Sequence, residues 1–183
     1  MDSQLLKAKA SLLLLVDVQA RLAPAISGRA AIIRNIVTLG QAAARLEVPV
    51  LASEHYPRGL GATLAELGSV VPPAARFEKI TFSCLGAAAF RKRLESLKRP
   101  QIVVAGCEAH VCVMQTAISL AEAGYRTYIV ADATGSRDPA NAEAALARMA
   151  RAGIEAVTTE MVVFEWLERA DRAEFRELLE LIR

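Results

Sequence analysis

Apolar stretches of two different periods alternate along this chain, and their order predicts its architecture. The nearly continuous apolar run SLLLLVDVQ (Ser11–Gln19) is typical of a strand that is buried on both faces of a parallel sheet. Residues 29–46 instead carry apolar side chains three or four positions apart, which predicts an amphipathic helix. Further strands are predicted at VPVLASEHY (Val48–Tyr56) and QIVVAG (Gln101–Gly106).

The second half of the chain continues this alternation. The runs YRTYIVAD and IEAVTT predict two more strands, and ARFEK, earlier in the chain, predicts a short edge strand. Between the two later strands a helix is predicted to begin at Asp138-Pro139, a capping residue followed by proline, and to stop at Gly153. Strands that alternate with helices predict an α/β fold with a mainly parallel sheet and right-handed crossovers.

Polar side chains concentrate at the ends of the predicted strands, which is where ligands bind in open α/β sheets. Asp17 ends the first strand, Glu54 and His55 end the second, and residues 107–112 follow the fourth. A carboxylate directly after five apolar residues is expected to be partly desolvated, which makes Asp17 a candidate proton acceptor. The plainer interpretation is an aspartate that caps a turn or pairs with Arg21.

The segment VVAGCEAHVCVMQTA (Val103–Ala117) carries two cysteines, with one of the two histidines of the chain between them. If a helix begins near His110, Cys112 lies in its first turn, where the helix dipole would stabilise a thiolate and lower the thiol pKa. A zinc site using Cys107, His110 and Cys112 has little support, because C-x2-H-x-C is not a usual ligand spacing. A small buried thiol is the remaining alternative, and this segment alone favours it.

Composition and charge narrow the function classes. The chain has 183 residues, 54% of them apolar, which is enough for one domain with a substantial core and favours a homo-oligomer. We expect no membrane-spanning segment and no secretory signal, and therefore a cytoplasmic protein. An odd number of cysteines, three, also disfavours a disulfide. A net charge of +2 with interspersed signs predicts no nucleic-acid partner.

Two further residues lie in the segment FEKITFSCLG. Lys79 could hold a thiolate or a substrate carboxylate by its charge, although a solvated lysine paired with Glu78 is the plainer interpretation. Cys84 is expected to be inert packing. Neither residue identifies a function when it is considered alone.

Three separated motifs resemble those of the isochorismatase-like cysteine hydrolases, the superfamily that includes nicotinamidases and N-carbamoylsarcosine amidase. They are LLLLVDVQ with Asp17, EKITFSCL with Lys79, and VVAGCEAHVCVMQTAISLAEAGYRTYIVADATGS with Cys112. The segment SEHYPRGLGATLAELG is similar to the isochorismatase domain-containing subgroup. The resemblance covers essentially the whole chain. It implies one hydrolase domain over residues 1–183, built as a three-layer αβα sandwich with a six-stranded parallel sheet of order 3-2-1-4-5-6.

The resemblance also implies roles for particular residues. Asp17 would be the base, Cys112 the nucleophile, and Lys79 the group that stabilises the thiolate. A non-proline cis peptide would join Cys107 to Glu108, and the amide N–H groups of Glu108 and Cys112 would form an oxyanion hole. The residues expected to contact substrate are Gln19, His55, Tyr56, Phe82 and His110.

The chain departs from the metal-dependent nicotinamidases, which carry an aspartate and histidines after the second strand. Here that stretch is SEHYPRG, so we expect neither a metal nor another cofactor. The expected activity is hydrolysis of a small amide, ureide or related C–N compound through a thioester on Cys112. The alternatives are an interaction or thiol-sensing protein that retains the three residues, and hydrolysis of an isochorismate-like vinyl ether, which Cys112 disfavours.

Overall fold

A computed structural model describes residues 5–182, and its centre is a six-stranded sheet in which every pair of neighbouring strands is parallel. The strand order is β3-β2-β1-β4-β5-β6, so the expected α/β architecture and topology are confirmed. The strands are β1 (Ser11–Val16), β2 (Val50–His55), β3 (Arg76–Lys79), β4 (Gln101–Cys107), β5 (Arg126–Gly135) and β6 (Glu155–Val157).

Helices cover both faces of this sheet. They are α1 (Arg29–Arg45), α2 (Pro57–Leu60), α3 (Ala88–Leu97), α4 (Met114–Glu122), α5 (Pro139–Arg151), α6 (Thr159–Leu167) and α7 (Phe175–Leu181). Short 3-10 turns lie at Ala8–Ala10, Ala23–Ala25, Ala65–Leu67, Pro73–Ala75 and Cys84–Gly86. A π-helical turn, Ala109–Val113, leads directly into α4.

Successive side chains of β1 enter two different cores, because side chains alternate between the faces of a sheet. Leu13 and Leu15 pack with α1, α6 and α7, whereas Leu12 and Leu14 pack with α3, α4 and α5. All six residues of β1 are buried, as the continuous apolar run predicts for a central strand. Helix α5 begins as expected, since the Asp138 carboxylate accepts the Ala140 N–H and Pro139 is its first residue.

Strand β1 ends earlier than the apolar run suggests. Asp17 has a left-handed backbone conformation with φ +51°, which few residues adopt, and it turns the chain out of the sheet after Val16. The neighbouring strand passes very close to this point. Gly106 in β4 has φ +128°, and a Cβ atom placed there would lie 2.1 Å from the Val16 carbonyl oxygen. A side chain at position 106 would therefore disturb the contact between β1 and β4.

Within residues 5–182, every helix is either too short or too polar to cross a lipid bilayer.

Candidate active site

The candidate site lies beyond the carboxyl ends of β1, β2 and β4. Strand β1 pairs with β2 on one side and with β4 on the other. The chain connections that follow β1 and β4 therefore leave in opposite directions and open a crevice between them. Asp17 follows β1, and Cys112 lies in the π-helical turn after β4. Lys79 ends the edge strand β3, where it is paired in register with His55 of β2.

Asp17 is fully buried and both of its carboxylate oxygens are bonded. Lys79 Nζ lies 2.7 Å from Asp17 Oδ2, and Ser53 Oγ donates to Asp17 Oδ1 at 2.7 Å. These contacts decide against the plainer interpretations drawn from sequence. Lys79 is buried rather than solvated beside Glu78, and Arg21 donates its Nη1 hydrogens to backbone carbonyls instead of to Asp17.

Lys79 stays charged despite its burial. Burial acts to lower the pKa of Lys79, but the adjacent Asp17 carboxylate outweighs it, so the net pKa of Lys79 is raised. The lysine is therefore a fixed cation at neutral pH. Removing one partner of such a pair leaves an uncompensated buried charge, which typically costs about 3–5 kcal/mol.

The Cys112 thiol lies within 4.8 Å of the Asp17 carboxylate, but its pKa shifts in the direction opposite to the one the helix dipole suggests. Burial, followed by the negative charge of Asp17, raises the pKa of Cys112 to about 12, against a smaller opposing effect of Lys79. Only 6% of the residue is exposed. The sequence-based expectation of a depressed pKa is therefore wrong for the resting site, because the neighbouring carboxylate and desolvation exceed the effect of the helix end.

The peptide bond between Cys107 and Glu108 is cis, and the chain then enters the π-helical turn. The Glu108 carbonyl accepts the amide N–H groups of Val111 and Val113, on either side of Cys112. The Glu108 carboxylate accepts the backbone N–H of Arg137 at 3.0 Å and its Nε at 3.1 Å. Burial opposes ionisation of Glu108, but these bonds and the Arg137 charge lower its pKa overall.

A cavity of about 400 Å³ opens onto these residues. This volume suits a small molecule, since ligand pockets commonly measure about 300–1,000 Å³. Asp17 and Cys112 form part of its wall, whereas Lys79, which is bonded to Asp17, is not among the lining residues. The cavity is lined by Asp17, Arg21, Leu22, Ala25, His55, Leu60, Phe82, Glu108, Val111, Cys112 and Arg137.

Two of the five residues expected to contact substrate line this cavity. His55 and Phe82 pack against each other there, with ring centroids 5.4 Å apart. The other three do not reach it. Gln19 is fully buried and its amide bonds the backbone of His55 and Gly61, so it fixes a loop. Tyr56 lines a separate surface depression, and His110 bonds Ser136.

One group of side chains in the described part of the chain has the donor types of a metal site. Donor atoms of Asp17, His55 and Cys112 lie within 4.8 Å of one another. His55 Nδ1 is buried without a hydrogen-bond partner, and burial followed by the Lys79 charge lowers the pKa of its imidazole. A cation bound here would compete with the Lys79 ammonium for Asp17 and would require the loss of the Cys112 proton.

All three cysteines are free, as expected for this chain. Cys84 is fully buried with its pKa raised by burial, and burial likewise raises the pKa of Cys107 to about 12. Neither residue lines the cavity, so Cys112 is the only thiol among residues 5–182 that faces it.

Three polar residues of the site were missed by sequence reasoning. Ser53, which orients Asp17, lies inside an apolar strand, and its register opposite Val16 is known only from the sheet. Arg21 and Arg137 line the cavity from segments that carry no distinctive motif. The available signal was position, because Arg21 and Arg137 lie in the segments that follow β1 and β5, at the carboxyl edge of the sheet.

Known proteins share this fold and these segments. Residues 11–161 match the family described as Isochorismatase domain. The chain is 34% identical over 178 residues to isochorismatase domain-containing protein 2 of Danio rerio, covering 97% of this chain and 89% of that protein. The MAR1 ribonuclease of Caenorhabditis elegans superposes with a TM-score of 0.91 at 31% identity, covering 97% of this chain and 91% of that one. The YcaC gene product of Escherichia coli, an octameric hydrolase of unknown specificity, shares the fold with a TM-score of 0.92 at 24% identity, covering 99% and 92%. The chain belongs to the isochorismatase domain family.

Proposed function

We propose that this protein hydrolyses a small amide, ureide or related C–N compound through a thioester on Cys112. The observation that carries the proposal is one compact cluster of side chains at the wall of the cavity. It combines a thiol, a carboxylate and an ammonium group, contributed by Cys112, Asp17 and Lys79. These are a nucleophile, a base and a fixed counter-charge, which are the parts that covalent acyl transfer needs.

The raised pKa of Cys112 fits a mechanism in which the proton moves within the cluster. A thiolate beside the Asp17 carboxylate would place two negative charges in a desolvated site, which is unfavourable. Transfer of the thiol proton to Asp17 leaves a single anion, the thiolate, close to the Lys79 ammonium. Substrate binding excludes water and brings the carbonyl to the thiolate, so the nucleophile forms only when it is used.

The remaining steps need water as the only co-reactant. The thiolate adds to the carbonyl carbon, and the tetrahedral oxyanion accepts hydrogen bonds from the amide N–H groups of Glu108 and Cys112. The C–N bond breaks as protonated Asp17 gives its proton to the leaving nitrogen. Asp17 then removes a proton from water and the resulting hydroxide attacks the thioester. The C–S bond breaks with release of a carboxylic acid, and protonated Asp17 returns its proton to the Cys112 thiolate.

A thiol sensor is supported less well than an enzyme. Sensor cysteines are exposed and have a depressed pKa, because oxidants react with the thiolate. Cys112 is buried and its pKa is raised to about 12. Vinyl-ether hydrolysis needs no thiol, so it leaves the contact between Cys112 and Asp17 without a role.

RNA cleavage enters as a second candidate, because a relative of this chain is named a ribonuclease. The net charge of +2 offers little attraction for a phosphate backbone. The cavity of about 400 Å³ is also lined mainly by apolar side chains and suits a small ligand better than a polymer.

We also propose that the protein forms a homo-oligomer and is located in the cytoplasm. Tyr56, Ile80 and Phe82 leave 49%, 69% and 49% of their surface exposed near the end of β3, and burial of such side chains between copies would stabilise a homo-oligomer. The octameric state of the YcaC gene product supports the same arrangement. Free cysteines favour a reducing compartment, and we propose the cytoplasm.

The deciding experiment is a screen for ammonia or amine release over small amides and ureides. The native chain is compared with Cys112→Ala and with Cys84→Ala, a matched control that removes a buried thiol outside the cavity. We expect at least one compound to be hydrolysed by the native chain and by Cys84→Ala, with no hydrolysis by folded Cys112→Ala. Equal release by Cys112→Ala would contradict the mechanism.

A further inference from the structure

We infer that the substrate of this site carries a carboxylate, and that Arg21 is the residue that binds it. The inference rests on the proposed function, because it names the class of amide that the same cavity accepts. Its basis is the set of charged side chains that line the cavity. Two acidic residues, Asp17 and Glu108, line it together with two arginines, Arg21 and Arg137.

Each carboxylate in the lining already has a cation. Asp17 is paired with the buried Lys79, and Glu108 is paired with Arg137. Burial, followed by the Lys79 charge, lowers the pKa of His55, so its imidazole is neutral at neutral pH. Arg21 is thus the cation in the lining whose charge no acidic group balances, and a guanidinium keeps its charge at any physiological pH.

Arg21 is held in place without a carboxylate partner. Its Nη1 donates to the carbonyl oxygens of Arg58 and Gly59, at 3.1 and 3.0 Å, and its own backbone N–H bonds the Leu60 carbonyl. Among residues 5–182 no acidic side chain lies within ion-pair distance of it. A guanidinium has five N–H donors, so Nε and Nη2 remain for a ligand. The two hydrogen bonds to carbonyl groups hold the Arg21 guanidinium in place before a ligand binds, which reduces the conformational entropy lost on binding.

The rest of the wall favours an anion at this point. Leu22, Leu60, Phe82 and Val111 surround the charged groups with apolar surface. Arg21 is exposed to solvent, so it attracts an anion less strongly than a buried cation would, but the apolar surface beside it lowers the effective dielectric constant below that of open water. Carboxylate geometry also matches the guanidinium fork, which can donate two parallel hydrogen bonds. A substrate with an amide at Cys112 and a carboxylate at Arg21 would contact two polar groups of the same cavity wall.

Equilibrium binding tests this inference independently of turnover. The probes are oxamate, malonamate and succinamate, which carry one primary amide and one carboxylate at increasing separation. Their neutral counterparts are oxamide, malonamide and succinamide. Calorimetry with Cys112→Ser, which keeps the cavity but lacks the thiol, should show at least one carboxylate probe binding roughly ten- to a hundredfold tighter than its diamide.

Arg21→Met in the same background should remove that preference, because methionine keeps an unbranched apolar stem without the charge. Arg58→Met is the matched control, since Arg58 belongs to α2, whose carbonyl groups contact Arg21, but lines the separate depression beside Pro57. This control should retain the preference. Equal binding of diamide and carboxylate probe, a preference that survives Arg21→Met, or failure of all three carboxylate probes to bind would each overturn the inference.

Measurements of ammonia release distinguish a failure of the Arg21 inference from a failure of the proposed hydrolysis. Ammonia released from the diamides as readily as from the carboxylate probes would leave amide hydrolysis standing while it refutes the role of Arg21. Conversely, carboxylate binding that depends on Arg21, with no ammonia released from any compound of the screen, would refute hydrolysis and leave Arg21 as an anion-binding residue.

Discussion

Replacing Asp17 with asparagine should lower the pKa of Cys112 and at the same time stop turnover. In the native chain, burial and the Asp17 carboxylate together raise the pKa of Cys112 to about 12. Asparagine has nearly the same shape as aspartate but no negative charge, and it cannot accept the thiol proton. The variant therefore makes the thiolate easier to form while it removes the base that the mechanism needs.

The size of this shift follows from the distance between the two groups. Donor atoms of Asp17 and Cys112 lie within 4.8 Å. Two unit charges at that distance interact by roughly 3.5 kcal/mol at an effective dielectric constant of about 20. One pKa unit corresponds to about 1.4 kcal/mol, so the pKa of Cys112 should fall by roughly 2.5 units. The Lys79 ammonium, released from its partner, would lower the pKa further.

The assay is the ultraviolet absorbance of the thiolate during a pH titration, with Cys112→Ser as the background to be subtracted. Asp17→Asn leaves Lys79 buried without its partner, which threatens folding. The double variant Asp17→Asn/Lys79→Met removes both charges and serves as the second test. Its Cys112 pKa should lie above that of Asp17→Asn, because the attraction from the ammonium is gone.

Either of two results would contradict the roles assigned to Asp17. A Cys112 pKa that is unchanged or higher in folded Asp17→Asn would show that the carboxylate does not set the thiol pKa. Undiminished turnover in that variant would show that Asp17 is not the base.

Three further expectations concern the orientation of the base, the packing of the sheet and the response to pH. Ser53→Ala should lower kcat roughly tenfold or more without unfolding the protein, because Asp17 Oδ1 loses the bond that orients it, and Ser53→Thr should restore the rate. Equal rates for Ser53→Ala and the native chain would exclude this role. Gly106→Ala should reduce the free energy of unfolding, measured in urea, by more than about 2 kcal/mol, because the alanine Cβ would clash with the Val16 carbonyl oxygen. An unchanged free energy of unfolding would count against that close contact. The free energy of unfolding should also fall as the pH rises from 9.0 toward 12, because burial raises the pKa of Cys107 to about 12 and the folded state therefore holds that proton more tightly. Cys107→Ala should flatten this dependence in urea titrations at a series of pH values, and an identical slope would contradict it.

The fold could be predicted because the sequence expresses it locally. A continuous apolar run such as the one in β1 is typical of a central strand, and the helical period of residues 29–46 distinguishes α1 from it. The order of the strands, in contrast, came from the resemblance of three motifs to a known family, since periodicity does not fix which strands are neighbours.

The candidate site was predictable only in part. The motifs identified Asp17, Lys79 and Cys112, and the structure brings all three together. The direction of the Cys112 pKa shift depends on burial and on a carboxylate that lies 95 positions away in sequence, so the local helix end suggested the wrong sign. Contacts of Ser53 and Arg21 likewise depend on register and on loop packing, which side-chain type alone does not reveal.

A covalent acyl group on Cys112 distinguishes the proposed reaction from every alternative, and rapid-quench mass spectrometry can detect it. The native chain is mixed with an amide that releases ammonia, stopped in acid within the first turnover, and digested for peptide mapping. We expect a mass increase equal to the acyl group on the peptide that contains Cys112, and no such increase in Cys112→Ala. Ammonia release with the peptide unmodified, or with the acyl group on another residue, would contradict it.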